Sequence, residues 1–212
     1  MIPGVPKAVV VGATGGIGIA TTEALLREGY CVVPVYRIGV DLTADDSSDK
    51  IKEVLQQYEP DVVVNCAGQF GDNDADYNSM FDINVRSNWA IIDHYIKNNT
   101  KPTKIILVGS TAYDHGRKNY MLYSASKAAL HNLWEGARDF FSDTEITIHI
   151  VHPARTRTKM VAPYNELLDY LEPQEVAETI IELSKCSVSD SKILKLRNTN
   201  EKNWTFGQGN SR

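Results

Sequence analysis

The chain has 212 residues, 42% of them hydrophobic and 23% charged, which suits one soluble α/β domain with a sizeable core. A formal net charge of -5 argues against a broad nucleic-acid-binding surface. Cys31, Cys66 and Cys186 are an odd number with no C-x-x-C pair, which excludes a disulfide scaffold or a structural zinc site and fits a reducing cytoplasm.

No secretory leader, transmembrane stretch or metal motif is apparent, so the expectation is a cytoplasmic, metal-free protein with no membrane or nucleic-acid partner. In chain order, Ala8 to Val11 is expected as a strand, then glycine-rich Gly12 to Gly18 and a helix over Ile19 to Glu28. Cys31 to Tyr36 is a second strand, Lys50 to Tyr58 a helix and Asp61 to Asn65 a strand with three consecutive valines. A long helix follows from Met80 to Asn98, a strand over Lys104 to Gly109 and a helix over Met121 to Phe141. Ile146 to Val151 is again a strand, Pro173 to Lys185 a helix and Lys192 to Leu196 a last strand. This alternation predicts a Rossmann-type, doubly wound parallel sheet with helices on both faces, and continuous apolar runs fit strands buried on both sides. One domain over 1–197 is expected, followed by a polar tail over 198–212.

Gly12, Ala13, Thr14, Gly15, Gly16, Ile17 and Gly18 fall where the first strand turns into the first helix. Glycine lets the backbone approach a pyrophosphate, and the helix N-terminus offers free N–H groups and the positive end of its dipole. A packing turn would use the same residues, but the strand-to-helix context favours dinucleotide binding. At the end of the second strand, an acid would select NAD through the adenine ribose; Arg37 stands there instead and suits the 2′-phosphate of NADP. The expectation is therefore NADP(H), with NAD(H) second, and Asp41 on the adenine side.

Tyr123 and Lys127 are one helical turn apart and point to one face. A nearby ammonium lowers a phenol's pKa and makes it a usable proton donor and acceptor. Alone, such a pair is a common surface feature. Here Ser110 ends a strand upstream, Asn65-Cys66-Ala67-Gly68 ends another, and Asn84 lies in the following helix. These pieces in this order resemble the compact branch of the short-chain dehydrogenase/reductase family across nearly the whole chain.

The resemblance implies a tetrad of Asn84, Ser110, Tyr123 and Lys127. Tyr123 would protonate the carbonyl oxygen, Ser110 would hold it, Lys127 would bind the nicotinamide ribose, and Asn84 would hold a relay water. It also implies coenzyme contacts from Asn65, Ala67, Gly68, Pro153, Thr156 and Thr158, with Ala154 standing where the family usually has glycine. The short Arg37–Asp41 stretch departs from the family's full crossover helix and leaves room for only a residual strand around Val40.

Basic residues flank the expected site: His115, Arg117 and Lys118 before Tyr123; Arg155, Arg157 and Lys159 after the Val151 strand. They point to an anionic substrate, although charge runs are often solvated. The text around Ser110, Tyr113, Gly116, Arg117, Tyr120 and Tyr123, with Pro153, Arg155, Thr156, Thr158 and Met160, resembles reductases that partner CDP-ribitol-forming cytidylyltransferases. That subgroup reduces ribulose 5-phosphate, and the resemblance makes Arg117 and Arg155 phosphate ligands. Two alternatives stay open: a reductase of uncharged aldehydes, ketones or quinones, with 159–172 as a permissive lid, and a non-catalytic NADP sensor, disfavoured by the complete tetrad. Family members commonly form dimers or tetramers, and Trp89, Trp134, Phe140 and Phe141 would supply the apolar surface, with core packing an equally good account of them.

Overall fold

A computed structural model describes residues 4–98, 101–160 and 169–195. Its centre is a six-stranded, all-parallel sheet in the order β2-β1-β3-β4-β5-β6. The strands are β1 (Lys7–Val11), β2 (Cys31–Val35), β3 (Val62–Asn65), β4 (Thr103–Val108), β5 (Ile146–Pro153) and β6 (Ser191–Leu194). The helices are α1 (Gly16–Arg27), α2 (Ser47–Tyr58), α3 (Tyr77–Phe81), α4 (Ser87–Lys97), α5 (Met121–Phe140) and α6 (Pro173–Ser184). This is the Rossmann-type α/β fold expected from the sequence.

Successive residues of each strand point to opposite faces, so two cores form. Val9, Val11, Val63, Ile105, Leu107 and Ile148 pack under α2, α4 and α5. Val10, Val62, Val64, Ile106 and Val108 pack under α1 and α6. Burial of each such side chain contributes about 1.5–3 kcal/mol, which holds the carboxyl ends of β1, β3, β4 and β5 in a fixed row.

Two expectations need correction. No strand forms around Val40. The chain turns back after β2, with the Gly39 and Val40 amides both donating to the Tyr36 carbonyl at 2.9 and 3.0 Å, and Val40 is buried against the α2 core. A parallel strand needs a crossover of about a dozen residues, and this stretch is too short, so β2 remains the sheet edge.

The long helix begins at Tyr77, where Asp76 caps it by accepting from the Ser79 amide at 2.7 Å. Its middle, Asp82–Arg86, is a π-helical turn that carries Asn84 between α3 and α4. Of the two readings open for the four aromatics, core packing holds for Trp134 and Phe141, the Trp134 indole donating to the Ile148 carbonyl at 3.0 Å, while Trp89 and Phe140 are exposed. No described helix is long and apolar enough to cross a membrane. The tail over 198–212 lies outside the described residues, as do Leu196 and most of the 159–172 segment.

Candidate active site

The crevice opens where the strand order reverses, between β1 and β3, the place at which open α/β sheets bind ligands. Gly12 adopts φ +77°, and a Cβ there would lie 2.6 Å from the Ala67 amide nitrogen. Only glycine permits this approach between the β1 and β3 loops. Gly18 plays a packing role, since a Cβ on it would collide with the Gly12 carbonyl. Gly15 is the N-cap of α1 and has no side chain to cap it, so the first-turn amides have no competing acceptor from that residue.

That groove encloses about 700 Å³ and is lined by Gly12, Thr14, Gly15, Gly16, Arg37 and Asp41, among others. An uncapped, glycine-walled helix start beside an exposed arginine fits a dinucleotide's phosphates. Arg37 is 83% exposed along its side chain and makes one long contact to Asp41, at 3.4 Å. Asp41 is held below the ordinary carboxylate range, chiefly because it accepts from the hydroxyl and amide of Thr43.

A second cavity of about 330 Å³ adjoins the groove, and Ile17, Ala67, Gly68 and Thr158 line both. Ser110, Tyr123 and Lys127 line this second cavity together, with Pro153 and Thr156 nearby. Ser110 follows β4 and caps a short 3-10 turn, its Oγ accepting from the Ala112 amide at 3.2 Å. It also hydrogen-bonds the Tyr123 phenol. Lys127 is buried; its Nζ donates to the Val108 carbonyl at 3.3 Å and lies over the Tyr123 ring, 5.8 Å from the centroid.

The electrostatics differ from the sequence expectation. Desolvation pushes the Tyr123 phenol up to about 12, with the Ser110 hydrogen bond opposing it only in part. The same burial pulls Lys127 down to about 8. The ammonium sits over the ring, and Phe70 and Tyr120 crowd it with centroids 4.8 and 6.2 Å away, so desolvation prevails.

Asn65, expected as a coenzyme contact, and Asn84, expected to hold a relay water, are buried beside the cavity and absent from its lining. Asn65 accepts from the Ala67 amide at 3.0 Å and donates to Ser87 and Asn88. Asn84 accepts from the Gln69 amide at 2.8 Å and donates to the Gln69 carbonyl at 2.9 Å and to Ser126. Through these bonds the two carboxamides tie the loop after β3, which carries Ala67 and Gly68 into the wall, to α4 and α5.

The profile of the short chain dehydrogenase family matches residues 33–168. The chain belongs to the short chain dehydrogenase family. An uncharacterized oxidoreductase of Staphylococcus aureus strain USA300 is 28% identical over 204 residues, covering 82% of this chain and 88% of that protein. A short chain dehydrogenase of Burkholderia cenocepacia J2315, solved in complex with NADP, superposes with a TM-score of 0.79 at 19% identity, covering 90% of this chain and 88% of that one. A 4-hydroxyisoleucine dehydrogenase complexed with NADH also gives 0.79, at 17% identity and 90% and 97% coverage. This short chain dehydrogenase is thus an oxidoreductase, and its fold is shared by neighbours solved with either coenzyme.

In this short chain dehydrogenase, Arg117 and Arg155 both line the cavity that holds Ser110, Tyr123 and Lys127. Arg117 is largely buried and donates to the Thr111 carbonyl and to Asp114, at 3.3 and 3.2 Å, while its Nε has no partner. Arg155 lies over the Tyr170 ring, 5.6 Å from its centroid, and Arg157 pairs with Glu172 at 2.8 Å. Gln69 and Phe70 also line the cavity and were missed from sequence. Their position directly after Asn65–Gly68 was the available signal.

Proposed function

We propose that the protein is an NADP(H)-dependent carbonyl reductase whose acid/base pair is Tyr123 and Lys127 and whose substrate carries an anionic group. The observation that carries this reading is the meeting of Ser110, Tyr123 and Lys127 in a cavity continuous with the dinucleotide groove. The coenzyme supplies the hydride when bound. Gly12, Thr14, Gly15, Gly16 and Ile17 cradle its phosphates, Arg37 takes the 2′-phosphate, and Lys127 holds the nicotinamide ribose. Gly68, Pro153, Thr156 and Thr158 close the nicotinamide end.

Tyr123, neutral because burial raises its pKa, donates its proton to the carbonyl oxygen as the alcohol forms. Ser110 holds that oxygen by a hydrogen bond. Asn65 and Asn84 act by positioning the loop after β3. Arg117, with its unpartnered Nε, and Arg155 supply cations for a phosphate or carboxylate on the substrate. Ribulose 5-phosphate, reduced to ribitol 5-phosphate, is the first substrate of this class to examine.

A second reading, reduction of uncharged aldehydes, ketones or quinones, is favoured by the apolar wall of Phe70, Ala112, Tyr120 and Met160. NADPH oxidation with ribulose 5-phosphate, free ribulose and an aromatic aldehyde separates the two. Turnover confined to the phosphorylated sugar, lost in Arg117→Ala with NADPH binding intact, supports the first. Turnover of the aldehyde alone supports the second, and no turnover despite tight NADPH binding contradicts both and favours a sensor. The free thiols suit a reducing cytoplasm, and the exposed Trp89 and Phe140 suit a homodimer or homotetramer face.

A further inference from the structure

Behind Ser110 runs a line of side chains that the proposed reaction does not use. His152, fully buried at the end of β5, places Nδ1 3.3 Å from the Ser110 amide nitrogen and 3.2 Å from the Ser110 carbonyl oxygen. Its Nε2 lies 3.1 Å from Nδ1 of His131 on α5. Nε2 of His131 lies 3.9 Å from Glu135 Oε1, at the exposed face of the helix.

The arrangement is packed in place. Tyr113 stacks on His152 with centroids 4.0 Å apart and packs tilted against His131 at 4.2 Å, and Trp134 stacks on His131 at 5.5 Å. Gly109 has no side chain because a Cβ would collide with the His152 ring. The charged groups around His152 are Lys127 on α5 and Asp114 beyond the 3-10 turn.

Burial, and then the neighbouring His131, push the His152 pKa down to about 4, so the ring is neutral and carries one N–H. The bond made by one ring nitrogen then decides the state of the other. Glu135, 3.9 Å from His131 Nε2, favours a proton on that nitrogen by its charge, and His131 Nδ1 is then an acceptor. His152 must then donate from Nε2, which leaves its Nδ1 bare to accept from the Ser110 amide. In that state the His131–His152 link and the His152–Ser110 link each join one donor to one acceptor. In the opposite tautomer, His152 Nδ1–H turns to the Ser110 carbonyl and the Ser110 amide loses its acceptor.

We propose that His152, with its tautomer set by His131 and Glu135, is a positioning residue that fixes the Ser110 backbone and thereby the aim of the Ser110 hydroxyl. The inference rests on the reading of Ser110 as the residue that holds the substrate oxygen. Ser110 has no other side-chain anchor for its amide among the described residues. A reacting group displaced by about 1 Å costs on the order of 100-fold in rate, so a loss of this bond is felt at the chemical step.

The test uses two amides that imitate different halves of the imidazole. Asparagine puts its polar atoms where Nδ1 sits; glutamine reaches to the place of Nε2. His152→Asn therefore keeps an acceptor for the Ser110 amide, whereas His152→Gln keeps only the link to His131. The readouts are hydrogen exchange of the Ser110 amide, which needs no substrate, and kcat, KM and NADPH affinity for whichever carbonyl compound is turned over. In His152→Gln, Ser110 exchange is expected to be at least about tenfold faster and kcat about tenfold lower, with KM and NADPH affinity within about twofold. His152→Asn restores most of both.

Equal loss in the two variants, or wild-type exchange at Ser110 in His152→Gln, overturns the proposal. If neither variant folds, His131→Asn and His131→Leu decide at the half-buried end of the line. Only the leucine variant is expected to speed Ser110 exchange, and identical behaviour of the two overturns the proposal. Ser110→Ala distinguishes the two levels: unchanged kcat there removes the reading of Ser110 itself, whereas a large loss there with wild-type behaviour in His152→Gln removes only the positioning relay.

Discussion

The Lys127 ammonium lies over the ring of Tyr123, 5.8 Å from its centroid, and its hydrogen bond goes to the Val108 carbonyl. In the free protein these two groups are therefore tuned mainly by burial. Burial pushes the phenol up to about 12, which keeps it protonated at neutral pH, and pulls the lysine down to about 8.

An anionic dinucleotide bound beside Lys127 favours its charged form and raises its pKa. Binding of NADPH must then take up protons above about pH 8, where free Lys127 has lost its charge, and take up none well below that value. The linkage sign follows: NADPH affinity falls as pH rises beyond 8. Calorimetric titrations at pH 6.5 and 9 (approximate values set on either side of the lysine), in buffers of different ionisation enthalpy, measure the uptake. Proton release at the higher pH contradicts this account.

Gly12→Ala forces a Cβ into a left-handed backbone position and against the Ala67 amide. The strained conformation alone costs about 1–2 kcal/mol, and the collision adds to it. At about 2–4 °C per kcal/mol for a chain of this size, thermal unfolding should show a midpoint lower by at least about 5 °C. A midpoint equal to wild type contradicts the close approach of the β1 and β3 loops.

Arg37→Ala tests coenzyme choice. A hydrogen bond to a charged group is worth about 1.5–3 kcal/mol, so NADPH affinity is expected to fall about 10- to 100-fold while NADH affinity stays within about twofold. Fluorescence titration with both coenzymes measures this. Equal effects on the two refute the assignment of Arg37 to the 2′-phosphate.

Local chemistry was readable in the sequence where one short stretch carries it. The glycine turn lies between β1 and α1 as expected, and Tyr123 and Lys127 share one face of α5 because helical spacing demands it. Features that depend on distant segments were not readable. The π-turn that draws Asn84 to the Gln69 backbone involves residues 15 apart. The His131–His152 contact joins α5 to β5 across 21 positions, and nothing in either local pattern announces it. The residual strand near Val40 failed for a related reason: hydrophobicity made Val40 buried, but chain length decided that it could not pair.

The most direct measurement is NADPH oxidation by the wild-type protein and by Tyr123→Phe, with ribulose 5-phosphate, free ribulose and an aromatic aldehyde as acceptors. General acid catalysis contributes about 10²–10⁴-fold. Wild-type turnover of at least one acceptor is therefore expected, falling by at least about 100-fold in Tyr123→Phe, with NADPH affinity unchanged within about threefold. Equal turnover by the two proteins contradicts the assignment of Tyr123 as the proton donor, and with it the proposed reductase site.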